Sequence, residues 1–165
     1  YKKDLFPVPE PLIQENISRV MSLRDGTVKM SKSDESNYSR IDLKDSADEI
    51  IKKIKKAKSD SSVIPDNLKD LKNKPEALNL ITIYSSLSDR SLDQVLSEVM
   101  GKEYSYLKNK LSEALVEVIC PVGKEIKKLL NDKSFLEKTL KEGTEKARTI
   151  AERNLKEIKN VVGFF

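Results

Sequence analysis

Histidine is absent from all 165 residues. That absence removes imidazole acid–base chemistry, Ser–His and Cys–His nucleophile systems, and histidine-based metal sites, so no metal ligation is expected. Cysteine occurs once, as Cys120, which excludes an internal disulfide and points to a reducing compartment. The thiol follows the apolar stretch 115–119 and precedes Pro121, and with no imidazole to activate it, it reads as a core side chain rather than a nucleophile. Long apolar runs are missing too, and the opening Tyr1-Lys2-Lys3-Asp4 lacks the apolar core of a leader peptide. A soluble, cytoplasmic protein is the expectation.

Charged residues make up 35% of the chain and apolar ones 38%, a balance that suits thin helices with one buried face better than a broad sheet. The net charge of +4 permits an anionic partner without requiring one. At this length one main domain is the default, with room for a smaller appendage.

Residues 1–45 read as loops and short extended pieces. Pro7, Pro9 and Pro11 forbid a continuous helix, and Asp25-Gly26 marks a tight turn. Residues 19–23 and 40–43 alternate polar with apolar side chains as half-buried strands do. From Ser46 the period becomes helical, with Ile50, Ile51 and Ile54 on one face and Ser46/Glu49 as a capping box, ending near Lys58. Residues 59–73 suggest a loop or a short turn of helix. Further helices are expected from Pro75, from Ser91 with Gln94 as a second capping box and Gly101 as its stop, and from about Glu103. The last of these should place Leu107, Leu111, Ala114, Leu115 and Val118 inward and be ended or kinked by Pro121 before continuing to Leu130. Ser134 with Glu137 predicts another short helix closed near Gly143, and a final helix follows through Ile150, Leu155 and Val162. The expected fold class is therefore mainly α: a compact helical bundle through residue 162, preceded by a loop-rich segment.

The sharpest local feature is Val28-Lys29-Met30-Ser31-Lys32-Ser33-Asp34. Two lysines at this spacing can meet different oxygens of one polyphosphate, and the hydroxyls can donate to the same anion or brace the loop. It is not a Walker loop, because the required glycine spacing is absent. A solvated lysine–serine loop is the competing reading of these residues alone.

Lys29-Met30-Ser31-Lys32-Ser33 is identical to the KMSKS signature of class I aminoacyl-tRNA synthetases. Its flanks Arg24-Asp25-Gly26-Thr27 and Ser39-Arg40-Ile41-Asp42-Leu43, the stretches from Ala47 to Asp60 and from Pro75 to Tyr84, and Glu142-Gly143-Thr144-Glu145-Lys146-Ala147-Arg148 all resemble bacterial-type tryptophanyl-tRNA synthetases, in that family's order. Val28 and Glu35 depart from the family's usual lysine and proline, which should weaken the loop's attraction for phosphate somewhat.

The resemblance implies the carboxy-terminal portion of a ligase that activates tryptophan with ATP and transfers it to tRNA(Trp). Residues 1–45 would be the end of the catalytic domain and residues 46–165 a helical anticodon-binding domain. The Rossmann-type domain with its HIGH-type motif, which uses histidine, would lie outside this chain, so the chain alone is expected to be inactive. By the same resemblance Lys32 stabilises the leaving pyrophosphate with help from Lys29, Ser31 and Ser33 contact phosphate or fix the loop, and backbone near Met30 approaches adenine. Lys146 and Arg148 are candidates for contact with the tRNA backbone, with the lysines at 52, 53, 55, 56 and 58 a weaker set that reads better as a solvated helix face. ATP would be a substrate accompanied by Mg2+ in the complete enzyme, which would be a homodimer; this portion alone would be monomeric. The alternative is a non-enzymatic helical module binding RNA or protein, with the lysine–serine loop as a disordered connector and nothing within residues 1–45 organised toward a missing neighbour.

Overall fold

The computed structural model describes residues 5–13 and 19–164. Tyr1 to Asp4, read above as lacking a leader's apolar core, and residues 14–18, within the segment read as loops, lie outside the described residues. Six helices are present among the described residues: α1 (Ala47–Lys56), α2 (Leu68–Leu71), α3 (Pro75–Leu87), α4 (Leu92–Val99), α5 (Tyr104–Asn131) and α6 (Lys133–Val162). A short 3-10 turn, Asn37–Ser39, precedes them. No strand forms among the described residues, and the mainly α expectation holds.

The chain divides into two compact units, one of residues 13–126 and one of residues 1–12 with 127–165. The first unit contains the hydrophobic core. Its helices α1, α2 and α4 begin where a side chain satisfies a free amide of the first turn. Ser46 Oγ accepts from Glu49 N at 3.3 Å while Glu49 Oε2 accepts from Ser46 N at 2.7 Å, so the capping box at α1 closes from both sides. Ser91 and Gln94 repeat the device at α4, at 3.2 and 2.9 Å. Pro75 occupies the first turn of α3, where its missing N–H costs nothing. Gly101 takes φ 71°, the left-handed turn that ends α4 without a Cβ penalty. It also donates to Ile64 O at 2.9 Å, and Ile64 N donates to Lys102 O at 3.0 Å, which ties the loop after α1 to the α4–α5 turn.

Apolar positions of the helical period meet inside this frame. Ile50 and Ile54 of α1, Leu80 and Ile81 of α3, Val95 and Val99 of α4, and Leu107 and Leu111 of α5 are buried together. Burying each such side chain contributes on the order of 2 kcal/mol. Leu23, from the segment ahead of the helices, is buried in the same cluster. Cys120 lies partly buried against it, as a core thiol should.

Several expectations need correction. Residues 19–23 and 40–43 form no strands; a single antiparallel bridge, Met21 with Lys29, is all the pairing present in that region. Val118 is 43% exposed rather than inward, although Leu107, Leu111 and Leu115 on the same helix are buried. Pro121 lies inside α5, which continues past it to Asn131 as the sequence reading expects. One lost ladder bond is tolerable in a helix of this length, though it weakens it locally.

The second unit departs furthest from expectation. Residues 133–162 form one helix, not two, and Gly143 lies within it. A single helical glycine costs only about 1 kcal/mol, less than the surrounding run of Lys, Glu, Leu and Ala contributes in propensity and cooperativity. The cap is Asp132, whose carboxylate accepts from Phe135 N at 3.0 Å, and Ser134 Oγ donates to that carboxylate instead of capping the helix itself. No residue of α6 is buried, so the core does not extend through residue 162.

Candidate functional site

The lysine–serine loop grows from a built turn. Asp25 Oδ1 accepts from Thr27 N at 2.9 Å and from Thr27 Oγ1 at 2.6 Å, and Val28 N donates to Asp25 O at 3.1 Å. The Thr27 hydroxyl, and then its amide, hold the Asp25 carboxyl below its ordinary pKa. Gly26 sits against the start of α3: a Cβ there would fall 2.4 Å from the carbonyl carbon of Pro75, so only glycine fits without displacing backbone.

Two short arms leave this turn. Ser22 N donates to Val28 O at 2.8 Å and Met30 N to Val20 O at 3.1 Å, flanking the Met21–Lys29 bridge. The arm is fastened to α3 by Asn79, 5% exposed, whose Oδ1 accepts from Met21 N at 3.0 Å and whose Nδ2 donates to Met21 O at 2.8 Å. Leu23 N donates to Ser39 O at 2.9 Å, which closes the far end of the loop. Residues 19–45 are thus organised by the helices, against what a disordered connector would show.

Between these anchors Lys29 and Lys32 are exposed, and Met30 turns inward against the core. Ser31 and Ser33 hydroxyls stand 3.0 Å apart, and Ser33 N donates to Ser31 Oγ at 3.3 Å, which bends the loop at its tip. A cleft of about 470 Å³ opens beside it. Among the described residues, Arg19, Lys29, Lys32 and Arg40 supply its cationic rim, Val20, Met30, Ile41 and Leu43 its apolar wall, and Asp42 a carboxylate; Ser31 also lines it. Arg40 and Asp42 pair with each other at 3.3 Å, Arg19, Lys29 and Lys32 beside them favour a polyanion, and the apolar wall suits a planar ring attached to it. The structure brings Lys29, Met30, Ser31 and Lys32 to the cleft and leaves Ser33 outside its lining.

Two arginines of the cleft were not singled out from the sequence. Arg19 lies in a stretch that reads only as alternating, and Arg40 reads only as part of such a stretch and of a flanking match. The floor of the site was equally hidden. Gly123 of α5 is buried, and a Cβ at that position would come 2.8 Å from Leu43 O, so the wall of the cleft rests directly on the helix backbone.

The lysines after the loop do not form one surface. Lys53 is buried at 7% exposure, with Nζ 2.5 Å from Asp45 Oδ2 and 3.6 Å from Asp42 Oδ2. Lys56 lies over the Tyr38 ring at 4.6 Å, and Lys58 pairs with Glu76 at 2.7 Å. In the other unit, Lys146 and Arg148 are exposed on α6, and Arg148 Nη1 lies 3.6 Å from Glu145 Oε1. Two residues apart on a helix, they diverge by about 200° around the axis and serve different faces. Among the described residues no group of three or more Cys, Asp or Glu side chains could hold a metal ion, and no helix is long and apolar enough to cross a membrane.

The family model for tRNA synthetases class I (W and Y) matches residues 1–120. The tryptophan–tRNA ligase of Agrobacterium fabrum is 48% identical over 159 residues, covering 96% of this chain and 45% of that protein. The tryptophan–tRNA ligase of Rickettsia conorii is 43% identical over 164 residues, covering 99% and 49%. The chain therefore spans about half the length of the curated relatives it matches. Among solved structures, the tryptophanyl-tRNA synthetase of Mycoplasma pneumoniae superposes with a TM-score of 0.75 at 27% identity, over 92% of this chain and 45% of that one. That of Campylobacter jejuni, solved with ADP and tryptophan, gives 0.66 at 27% identity, over 97% and 48%. With the family model covering most of its length and its signature loop built onto a cationic cleft, the chain belongs to the tRNA synthetases class I (W and Y).

Proposed function

We propose that this chain supplies the ATP loop and the tRNA-facing helices of a tryptophan–tRNA ligase, which activates tryptophan with ATP and transfers it to tRNA(Trp). The observation that carries the reading is the placement of Lys29 and Lys32 at one cationic cleft with an apolar wall. Its support for tryptophan, rather than tyrosine, comes from relatives more than 40% identical that are tryptophan–tRNA ligases.

In adenylate formation a carboxylate oxygen of tryptophan bonds to the α-phosphorus of ATP, and the bond from that phosphorus to the bridging oxygen breaks. The electron pair leaves with pyrophosphate. Lys32 meets the charge that develops there, Lys29 assists, and the hydroxyls of Ser31 and Ser33 donate to phosphate or hold the loop tip. A cation that meets charge only late in the reaction lowers the barrier more than it tightens ground-state binding. The backbone at Met30, beside the apolar wall, faces the adenine. The residues described do not make a metal cage. Mg2+ would therefore be held chiefly by the nucleotide's own phosphates, and no step here runs through it.

Lys146 and Arg148 on α6 contact the tRNA backbone, each from its own helix face, with salt-sensitive affinity. The complete enzyme acts in the cytoplasm as a homodimer whose interface lies largely outside this chain.

Tryptophan-dependent ATP–pyrophosphate exchange by the full-length polypeptide containing this sequence tests the reading. Lys32→Ala should lower kcat by roughly 100-fold, with a smaller change in KM for tryptophan. An unchanged rate in that variant removes the assigned role of Lys32; exchange driven by tyrosine instead of tryptophan reassigns the substrate.

A further inference from the structure

Lys32 lies between two fixed points of backbone. On the amino-terminal side the Met21–Lys29 bridge and the Met30 N to Val20 O bond hold the entry to the loop. On the carboxy-terminal side the fixed point is Asp34, and its carbonyl is held by Arg40, whose Nη1 donates to Asp34 O at 3.0 Å. The same guanidinium donates through Nη2 to Asn37 Oδ1 at 2.8 Å and through Nε to Asp42 Oδ1 at 3.3 Å. All three nitrogens are engaged, and the side chain is 14% exposed. A planar fork used this way fixes direction as well as distance, which a lysine ammonium cannot do.

The third of these partners is itself braced. The opposite oxygen of Asp42 lies 3.6 Å from the buried Lys53 Nζ of α1, and Lys53 also pairs with Asp45, whose carboxylate accepts from Asp42 N at 2.8 Å. A connected path of ion pairs and hydrogen bonds therefore runs from the first helix of the core to the exit of the loop. Only residues 31–33 lie between the fixed points, with Lys32 in the middle.

We propose that Arg40 is a positioning residue for adenylate formation: through the Asp34 carbonyl it holds Lys32 over the cleft, and Lys53 braces it through Asp42. This rests on the ligase reading above. Arg40 acts through the placement of Lys32, so its contribution exists only while Lys32 is present.

The test is a double-mutant cycle on tryptophan-dependent ATP–pyrophosphate exchange in the full-length polypeptide. Arg40→Met keeps the length of the stem and removes the fork. It should lower kcat roughly tenfold and leave KM for tryptophan unchanged, because a displaced cation costs turnover rather than amino-acid binding. In a Lys32→Ala background the same substitution should cost nothing further. Arg40→Lys retains the charge but cannot span Asp34 and Asn37 together, so it should give a partial loss that also vanishes in the Lys32→Ala background. It serves as the second variant should Arg40→Met fold poorly. Equal losses with and without Lys32 overturn the proposal, since Arg40 would then act on substrate or on the fold directly. So does full activity in Arg40→Lys. Exchange that falls in Lys32→Ala but is untouched in Arg40→Met removes the positioning role alone, whereas a wild-type polypeptide with no tryptophan-dependent exchange removes the ligase reading and this proposal with it.

Discussion

Asn79 grips the backbone of Met21 across 58 residues of sequence, accepting from its amide at 3.0 Å and donating to its carbonyl at 2.8 Å. One side chain of α3 thus stands in for the neighbouring strand that the Met21 arm lacks, and it fastens the base of the candidate ATP loop to the helical core. Asn79→Ala leaves both backbone groups without their partner in a partly buried setting. The expected loss is about 2 to 3 kcal/mol in urea unfolding, since orphaned buried polar groups cost more than a typical hydrogen bond contributes. Trypsin should also cut faster after Lys29 and Lys32 in this variant than in the wild type. Unchanged unfolding and unchanged cleavage would show that the arm is held by Leu23 alone.

Two helical glycines should respond to alanine in opposite ways. Gly143 in α6 has nothing within 4 Å of a new Cβ, so Gly143→Ala should stabilise by up to about 1 kcal/mol through helix propensity. At Gly123 in α5 the same methyl would meet Leu43 O at 2.8 Å, so backbone must move. The propensity gain is then offset by a strain of about 1 to 3 kcal/mol, and the wall of the cleft shifts. Thermal unfolding of the two variants side by side reads the difference in sign. Stabilisation at both positions would mean that residues 40–43 yield freely.

The contrast between those glycines marks where sequence reading succeeds and fails. Gly101 ends α4 and was legible as a stop, because a left-handed turn is a local event. Gly143 reads as a stop by the same rule and is not one, because the residues on both sides favour helix and no turn competes there. The capping boxes at Ser46 and Ser91 were legible because their partners lie three residues away. The loop Lys29-Met30-Ser31-Lys32-Ser33 stands out in the sequence through its spacing and its resemblance to a known signature, and all of it but Ser33 lines one cleft. What holds it in place does not stand out: Asn79, Gly123 and the Arg40 fork act through contacts between distant or irregular segments, where neither period nor propensity leaves a trace.

Asp132, not Ser134, caps α6. Its carboxylate accepts from Phe135 N at 3.0 Å and from Ser134 Oγ at 2.9 Å, contacts that hold its pKa below the ordinary value. Ser134→Ala should be nearly silent, whereas Asp132→Asn should retain most of the cap and Asp132→Ala should fray the first turn measurably by circular dichroism. A larger loss of helix in Ser134→Ala than in Asp132→Ala would return the cap to the serine.

The pair Lys58–Glu76 gives stability a defined pH dependence. Glu76 Oε1 lies 2.7 Å from Lys58 Nζ, and this hydrogen bond is the first cause of a folded-state pKa below the ordinary 4.5, with partial burial opposing it. A carboxylate with a depressed folded pKa adds stability that is fully present above its unfolded value and is lost as pH falls through the folded one. Lys58 is shifted upward by the same contact, so its share is present at neutral pH and is lost only at alkaline pH, as pH rises through its raised folded value. Glu76→Gln should therefore be less stable than the wild type at pH 7, with the gap narrowing as pH falls below about 4.5 and closing once pH has passed through the lowered folded value of Glu76. Because Lys58 is more than half exposed, added salt should narrow the same gap at neutral pH. Urea midpoints of both proteins across this range carry the test: a gap independent of pH would mean that Glu76 stabilises the start of α3 through packing and hydrogen bonding that glutamine cannot reproduce, and not through its charge.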